Sequence, residues 1–315
     1  MSYFKPQLAF LFPGQGSQSV GMLAELGEHA STVRTTFDEA SDVLGYDLWS
    51  LVQNGPVETL NNTLFTQPAM LAAGVSAWRA WCESSDVRPS WMAGHSLGEY
   101  SALVCSESLA FSDALKLVAE RARLMQEAVP VGVGAMAAIL GLDDEKVLAV
   151  CIEASNDTEI VTAANFNSPG QVVIAGDAAA VSRAAELAKS QGARKAVMLP
   201  VSVPSHCPLM QPAADKFRHA LSAIEFKIPT IKVVHNVDVT SHTEPGPIRL
   251  ALEQQLCGSV RWTETIRFMA SQGVDQFIES GPGRVLAGLN KRIAAEASCE
   301  TIFDSGSLAK AVSLV

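Results

Sequence analysis

Gly94-His95-Ser96-Leu97-Gly98 fits the pattern G-x-S-x-G, which presents a serine on a sharp turn between a strand and a helix. The context agrees: a short apolar stretch (Trp91, Met92, Ala93) precedes it and a helical run, Glu99–Cys105, follows. The flanking glycines let strand and helix approach closely. Ser96 then sits at a helix amino terminus, where free N–H groups and the dipole favour a developing oxyanion. A serine hydroxyl needs a base. Six histidines are available: His29, His95, His206, His219, His235 and His242. His95 adjoins Ser96 and is expected to face another direction. His29 and His219 lie in polar helical runs, His235 ends a strand, and His242 lies in a polar loop. His206 lies in the proline-bracketed loop Val203-Pro204-Ser205-His206-Cys207-Pro208, and such loops hold functional side chains well. For His206 a general base and a satisfied structural histidine both remain open.

Arg121 is the second chemical signal. On a helix read from Ser112 to Ala128, Ala114, Leu117, Val118, Leu124, Met125 and Ala128 fall within about 60° of it at helical periodicity. Arg123 instead shares its side with Lys116, Glu120 and Glu127. An arginine centred on a buried stripe needs an anionic partner, because an unpaired buried charge is costly. That partner is either an acidic side chain elsewhere in the chain or a ligand carboxylate gripped in a two-pronged clamp.

The elements that must position these residues read as an α/β protein. A strand at Leu8–Phe12 ends in the turn Pro13-Gly14-Gln15-Gly16-Ser17. Thr66 is expected to cap a helix that runs through Met70, Leu71, Val75, Trp78 and Trp81, and Ser112 to cap the arginine helix. The middle changes rhythm: strand Ala135–Leu140, helix Asp143–Glu153, strand Ile160–Phe166, strand Gln171–Ala175, helix Asp177–Gln191, strand Ala196–Leu199. That β-α-β-β-α-β order is the ferredoxin-like pattern. Strands at Ile231–Val234 and Asp275–Glu279 and helices at Thr263–Ser271 and Val285–Ala294 then resume the larger unit.

The bulk numbers bound the answer. At 315 residues the chain fits two domains, or one domain carrying an insertion. The middle segment selects the second: residues 1–129 and 200–315 form a catalytic unit, and 130–199 an inserted small one. With 48% hydrophobic and 18% charged residues, global disorder is excluded. A net charge of −10 without basic runs argues against nucleic acid and a membrane surface. No apolar run approaches the roughly 18 residues of a membrane span, and Leu8–Phe12 is too short for a signal-peptide core. Six scattered cysteines without a CxxC spacing read as free thiols of a cytoplasmic protein, with no metal site.

Taken together these residues resemble malonyl-CoA:acyl carrier protein transacylase, the stand-alone enzyme of fatty acid synthesis. The resemblance rests on Pro13–Gln18 (PGQGSQ), Gly94–Ala102 (GHSLGEYSA), Arg121 with Met125-Gln126, and Val203–Cys207 (VPSHC). It extends to Gly134–Gly141, Asn165–Gly176, Asn236–Val239 and Gly281–Leu286, and so runs in order along nearly the whole chain. It implies an α/β-hydrolase-like large subdomain with an inserted ferredoxin-like small one. It implies ping-pong transfer of malonyl from malonyl-CoA to the phosphopantetheine thiol of acyl carrier protein, with no permanently bound cofactor.

The resemblance also implies roles: Ser96 as nucleophile, His206 as base, Gln255 (or its neighbour Gln254) as the residue orienting His206, and the N–H groups of Gln15 and Leu97 as oxyanion donors. Arg121 becomes the clamp on the free malonyl carboxylate, with Met125 and Gln15 beside the substrate and Asn165 and Asn167 along the coenzyme A side. Family members often carry Gly after the clamp arginine. Ala122 stands here, and Ala favours the helix. A monomer is expected. Carrier-protein docking calls for a local basic patch, either Lys189, Arg194 and Lys195 or Arg284, Lys291 and Arg292. Rival readings are a trans-acting acyltransferase of polyketide synthesis, a serine hydrolase or thioesterase, and a non-catalytic docking module. Hydrolases of this type generally place an acid and then the histidine near the carboxyl end, which His206 does not match.

Overall fold

The computed structural model describes residues 3–200 and 203–315. Its centre is a five-stranded parallel sheet built from β1 (Tyr3–Phe12), β2 (Val87–Gly94), β7 (Lys232–Val234), β8 (Gln276–Ser280) and β9 (Ser298–Ile302). The strand order is β7-β2-β1-β8-β9. A parallel strand segment covered on both faces must be apolar at every position, and the buried half of β1, Leu8–Phe12, is. Leu8, Phe10 and Phe12 enter one core with Trp81 and Phe37, while Ala9 and Leu11 enter another with Trp262 and Met269. Helices cover both faces, as parallel crossovers require.

β3 (Gly134–Leu140), β4 (Val161–Ser168), β5 (Gln171–Asp177) and β6 (Lys195–Met198) form a separate antiparallel sheet, ordered β4-β5-β3-β6. Helices Asp144–Ala154 and Ala178–Ser190 pack on it around Ile139, Val150, Ile174 and Val181. This is the ferredoxin-like arrangement, with its own core. β4 is fastened to the larger unit by main-chain bonds, Phe166 N–H to Val260 O (2.9 Å) and Val260 N–H to Ala164 O (2.8 Å). Thr263 Oγ1 adds a bond to Phe166 O at 3.0 Å. These bonds fix the level of Asn165 and Asn167 relative to the large sheet.

Two helix starts differ from expectation. The helix expected to begin at Thr66 begins at Thr63 and runs to Ser84, capped by Asn62, whose side chain accepts from Leu64 N–H. Thr66 lies inside it and donates its hydroxyl to Leu60 O and Asn62 O. The arginine helix spans Phe111–Ala128 with Ala110 at its cap position and no capping side chain. Burial of Phe111 in the core draws the first turn one residue earlier than Ser112. β9 and the closing helix Ser305–Ser313 were not among the expected elements. None of the described helices is long and apolar enough to cross a membrane.

Candidate active site

Sheets of this kind present loops at the carboxyl ends of their strands, and the first two strands supply both halves of the site. β1 ends at Phe12 and turns through Pro13–Gly16, while β2 ends at Gly94 and turns through Ser96 into the helix Gly98–Cys105. Ser96 has φ 52°, in the left-handed region that costs a non-glycine residue energy and is kept only when its surroundings enforce it. A β-carbon on Gly94 would stand 1.8 Å from the Gly98 carbonyl carbon, and one on Gly98 would stand 2.0 Å from Phe12 O. Only glycine fits either position, which accounts for the G-x-S-x-G spacing. Asn236 clamps the turn from the side: its Oδ1 accepts from Ser96 N–H (2.7 Å) and its Nδ2 donates to Gly94 O (2.7 Å).

His206 meets the serine from the opposite wall, with Nε2 and Ser96 Oγ 2.7 Å apart. Its Nδ1 is 2.7 Å from Gln255 O and its main-chain N–H donates to Leu256 O (3.1 Å). A carbonyl only accepts, so Nδ1 carries the proton, Nε2 is the acceptor, and the Ser96 hydroxyl donates to it. Gln255 therefore orients the imidazole through its main-chain carbonyl rather than its side chain. Gln254 is exposed and takes no part.

His206 is 4% exposed, and its pKa is pushed down to about 3, first by burial and then by the Arg121 charge. A lowered imidazole pKa keeps the neutral, proton-accepting form present at pH values well below 6.5. Acylation followed as kcat/KM is accordingly expected to stay flat from pH 8 down to about 5. An inflection near 6.5 in stopped-flow rates would show that His206 is solvated or is not the base.

Arg121 is 2% exposed and its hydrogen-bond partners are neutral. Nη1 donates to Gln67 Oε1 (2.9 Å), and Nη2 to Gln255 Oε1 (3.0 Å) and to Ser96 Oγ (3.2 Å). The Tyr100 ring lies 5.7 Å from the guanidinium carbon. Burial lowers its pKa, with Tyr100 and Glu99 opposing. Among the described residues Arg121 makes no ion pair, whereas Arg123 is held by Glu120 and Glu127 at the surface. Of the two partners the sequence left open, an internal acid is therefore not the one found. The guanidinium is held in place by amides, and Nη2 is at the nucleophile.

These groups face a cleft of about 540 Å³. Gln15, Leu97, Met125, Asn165 and Asn167 all line it with Ser96, Arg121 and His206. Gln15 Nε2 donates to Thr63 Oγ1 (3.2 Å), and Met125 Sδ accepts from Gln67 Nε2 (3.7 Å). His95 points away from the serine, its Nε2 2.8 Å from Asn167 Oδ1, yet it too lines the cleft. Among the described residues no group of three or more His, Cys, Asp or Glu is arranged to hold a metal ion.

Four residues here were not singled out from the sequence: Gln67, Glu99, Asn236, and His95 as a wall of the cleft. Gln67 and Glu99 are polar positions in otherwise buried helical runs, the same signal that marked Arg121. Asn236 lay in the Asn236–Val239 segment of the resemblance, but with no role attached, and its chemistry had no signal beyond its place after a strand. All six basic docking candidates are exposed; Lys189 pairs with Glu186, Arg292 donates to Gln171 Oε1, and Arg284 lies over the Phe303 ring.

Comparison with known proteins shows the family of the chain. Residues 9–302 match the family model described as acyl transferase domain. The malonyl CoA-acyl carrier protein transacylase of Salmonella typhimurium is 53% identical over 306 residues, covering 97% of this chain and 99% of that protein. The Bacillus subtilis protein of the same name is 45% identical over 287 residues, covering 91% of this chain and 90% of its own. An acyl carrier protein S-malonyltransferase structure from Vibrio cholerae superposes with a TM-score of 0.95 at 54% identity, covering 97% of this chain and 99% of its own. A malonyl-transacylase solved in complex with a type II PKS acyl-carrier protein gives 0.96 at 55%, covering 98% and 100%. With its elbow serine, neighbouring histidine and buried arginine on a fold shared along nearly its whole length, the chain belongs to the acyl transferase family.

Proposed function

We propose that this chain moves a malonyl group from malonyl-CoA to the phosphopantetheine thiol of acyl carrier protein in fatty acid synthesis, through a malonyl ester on Ser96. The observation that carries the reading is the meeting at one oxygen: Ser96 Oγ touches both His206 Nε2 and Arg121 Nη2. A nucleophile, its base and a cation with neutral partners share one cleft, and such a cation suits an acyl group ending in a carboxylate.

In the first half-reaction the Ser96 hydroxyl proton passes to His206 Nε2 as Oγ bonds to the thioester carbon. The N–H groups of Gln15 and Leu97 hold the tetrahedral oxyanion. The carbon–sulfur bond then breaks, and the coenzyme A sulfur leaves with the proton from His206. In the second half-reaction the carrier thiol gives its proton to His206 and its sulfur attacks the ester. Ser96 leaves as the alcohol, taking that proton back. Arg121 holds the far carboxylate throughout, Met125 packs beside it, and Asn165 and Asn167 flank coenzyme A. The inserted unit, residues 130–199, forms one wall of the cleft. The reading is of a monomer acting in the cytoplasm, where free thiols persist. Malonyl-CoA is substrate, and the chemistry calls for no permanent cofactor. Carrier-protein docking falls to one of two exposed basic patches, Lys189, Arg194 and Lys195 or Arg284, Lys291 and Arg292.

Acceptor choice tests this. With malonyl-CoA the intact protein is expected to gain one malonyl group, stable for minutes in water and lost within seconds on adding holo acyl carrier protein. Loss to water as fast as to the thiol would make the protein a hydrolase.

A further inference from the structure

We propose that Glu99, on the helix that follows the elbow, is a positioning residue that holds the nucleophile and the base in one frame. The inference rests on the transfer reading above and concerns a carboxylate that never touches substrate. Glu99 is fully buried in the first turn of Gly98–Cys105, where a negative charge is favoured by the helix dipole. Its Oε1 accepts from His235 Nδ1 (2.7 Å). Its Oε2 accepts from Asn236 N–H (3.0 Å) and Gln255 Nε2 (2.9 Å).

Each of the last two leads to one half of the reacting pair. Asn236 spans the elbow from Gly94 O to Ser96 N–H. Gln255 carries the carbonyl that orients His206, and its Nε2 also donates to Ser96 O (3.0 Å). One acid thus ties together segments that lie more than a hundred residues apart in the chain. The arrangement has a further effect on the oxyanion site. Asn236 occupies Ser96 N–H, so the next N–H, that of Leu97, is the one left to face a developing oxyanion.

The donors around Glu99 specify its test. Glu99→Ala removes the acceptor for both Asn236 and Gln255. Glu99→Gln keeps one oxygen for that pair, and its amide can donate to His235 Nδ1 once the His235 proton moves to Nε2, which now lacks a partner. In single-turnover malonylation, Glu99→Ala is expected to lose about 10²-fold in rate per active site, the cost of roughly 1 Å of misplacement. Its malonyl-CoA KM should stay within about threefold, since Arg121 remains. Glu99→Gln is expected to recover most of the rate. The fraction of chains that acylate, read by intact mass, should stay near one in both, which a general loss of folding would not allow. Rates within threefold of the parent for Glu99→Ala, or a loss confined to KM, would overturn the proposal. If Glu99→Ala does not fold, Asn236→Ala cuts the same chain one bond later and is judged by the same criterion. Failure of the transfer reading itself has a separate mark: an adduct that persists in Ser96→Ala.

Discussion

Ser96→Ala is expected to lower malonyl transfer by about 10⁵-fold while leaving malonyl-CoA binding within about threefold, because removing a nucleophile deletes the covalent step but not the ground-state contacts. The substitution removes only an oxygen. His206 keeps its place, since its main-chain N–H and Nδ1 are both bonded to the Leu256 and Gln255 carbonyls. Arg121 keeps its place, since Gln67 and Gln255 still hold it. The alanine also relieves little strain, for the φ of 52° at this position is imposed by Gly94, Gly98 and Asn236 around it. Binding by calorimetry and adduct formation by intact mass separate the two effects. An adduct that forms on Ser96→Ala at the parent rate would place the nucleophile elsewhere and end the mechanism.

The local parts of this site were legible because backbone geometry leaves a residue-type signature. A turn in which β-carbons would stand within 2.0 Å of neighbouring main chain admits glycine alone, so Gly94 and Gly98 mark Ser96 in a bare sequence. Arg121 was legible for a different reason: helical periodicity exposes a charge on an apolar face, and the structure finds it buried. The β-α-β-β-α-β segment was legible from alternation and turn residues, and its strand order follows the ferredoxin-like pattern.

What could not be read depends on contacts between distant segments or on the main chain itself. The atom that orients His206 is a carbonyl of Gln255, and a carbonyl is present at every residue. The sequence pointed to the Gln255 side chain, whereas the group facing His206 Nδ1 is the Gln255 carbonyl. That side chain instead bridges Arg121, Ser96 O and Glu99. Asn236 sits 140 residues from Ser96 in sequence, and an Asn after a strand reads as an ordinary turn residue. The Thr66 cap failed similarly. Asn62 and Thr66 are both competent caps, and the choice between them was made by tertiary burial of the first turn, including Thr63 and Thr66.

The same neutral cage that made Arg121 stand out predicts how the enzyme chooses its acyl group. In the free protein the guanidinium is desolvated without an ion-pair partner, so a malonyl carboxylate gains an interaction that water had not already supplied. Truncating one partner of a buried charge pair costs about 2–5 kcal/mol, and about 4 kcal/mol corresponds to roughly 10³-fold. Arg121→Ala is therefore expected to lower kcat/KM for malonyl-CoA by about 10³-fold, with acetyl-CoA changed less than about tenfold. The malonyl preference should collapse because an acetyl group never paired with the arginine. Arg121→Lys is expected to recover only part of the loss, since an ammonium cannot reproduce the planar fork held by Gln67 and Gln255. A second readout is independent of the acyl group. The Arg121 charge is one of the two leading causes that hold the His206 pKa down, so removing it should raise the acid inflection of the remaining activity toward 6.5. The burial contribution should keep that inflection from reaching 6.5. Competition between malonyl-CoA and acetyl-CoA, followed by intact mass across pH, measures both effects on one sample. An unchanged malonyl preference would remove Arg121 from specificity, and an unmoved inflection would show that its charge does not reach the base.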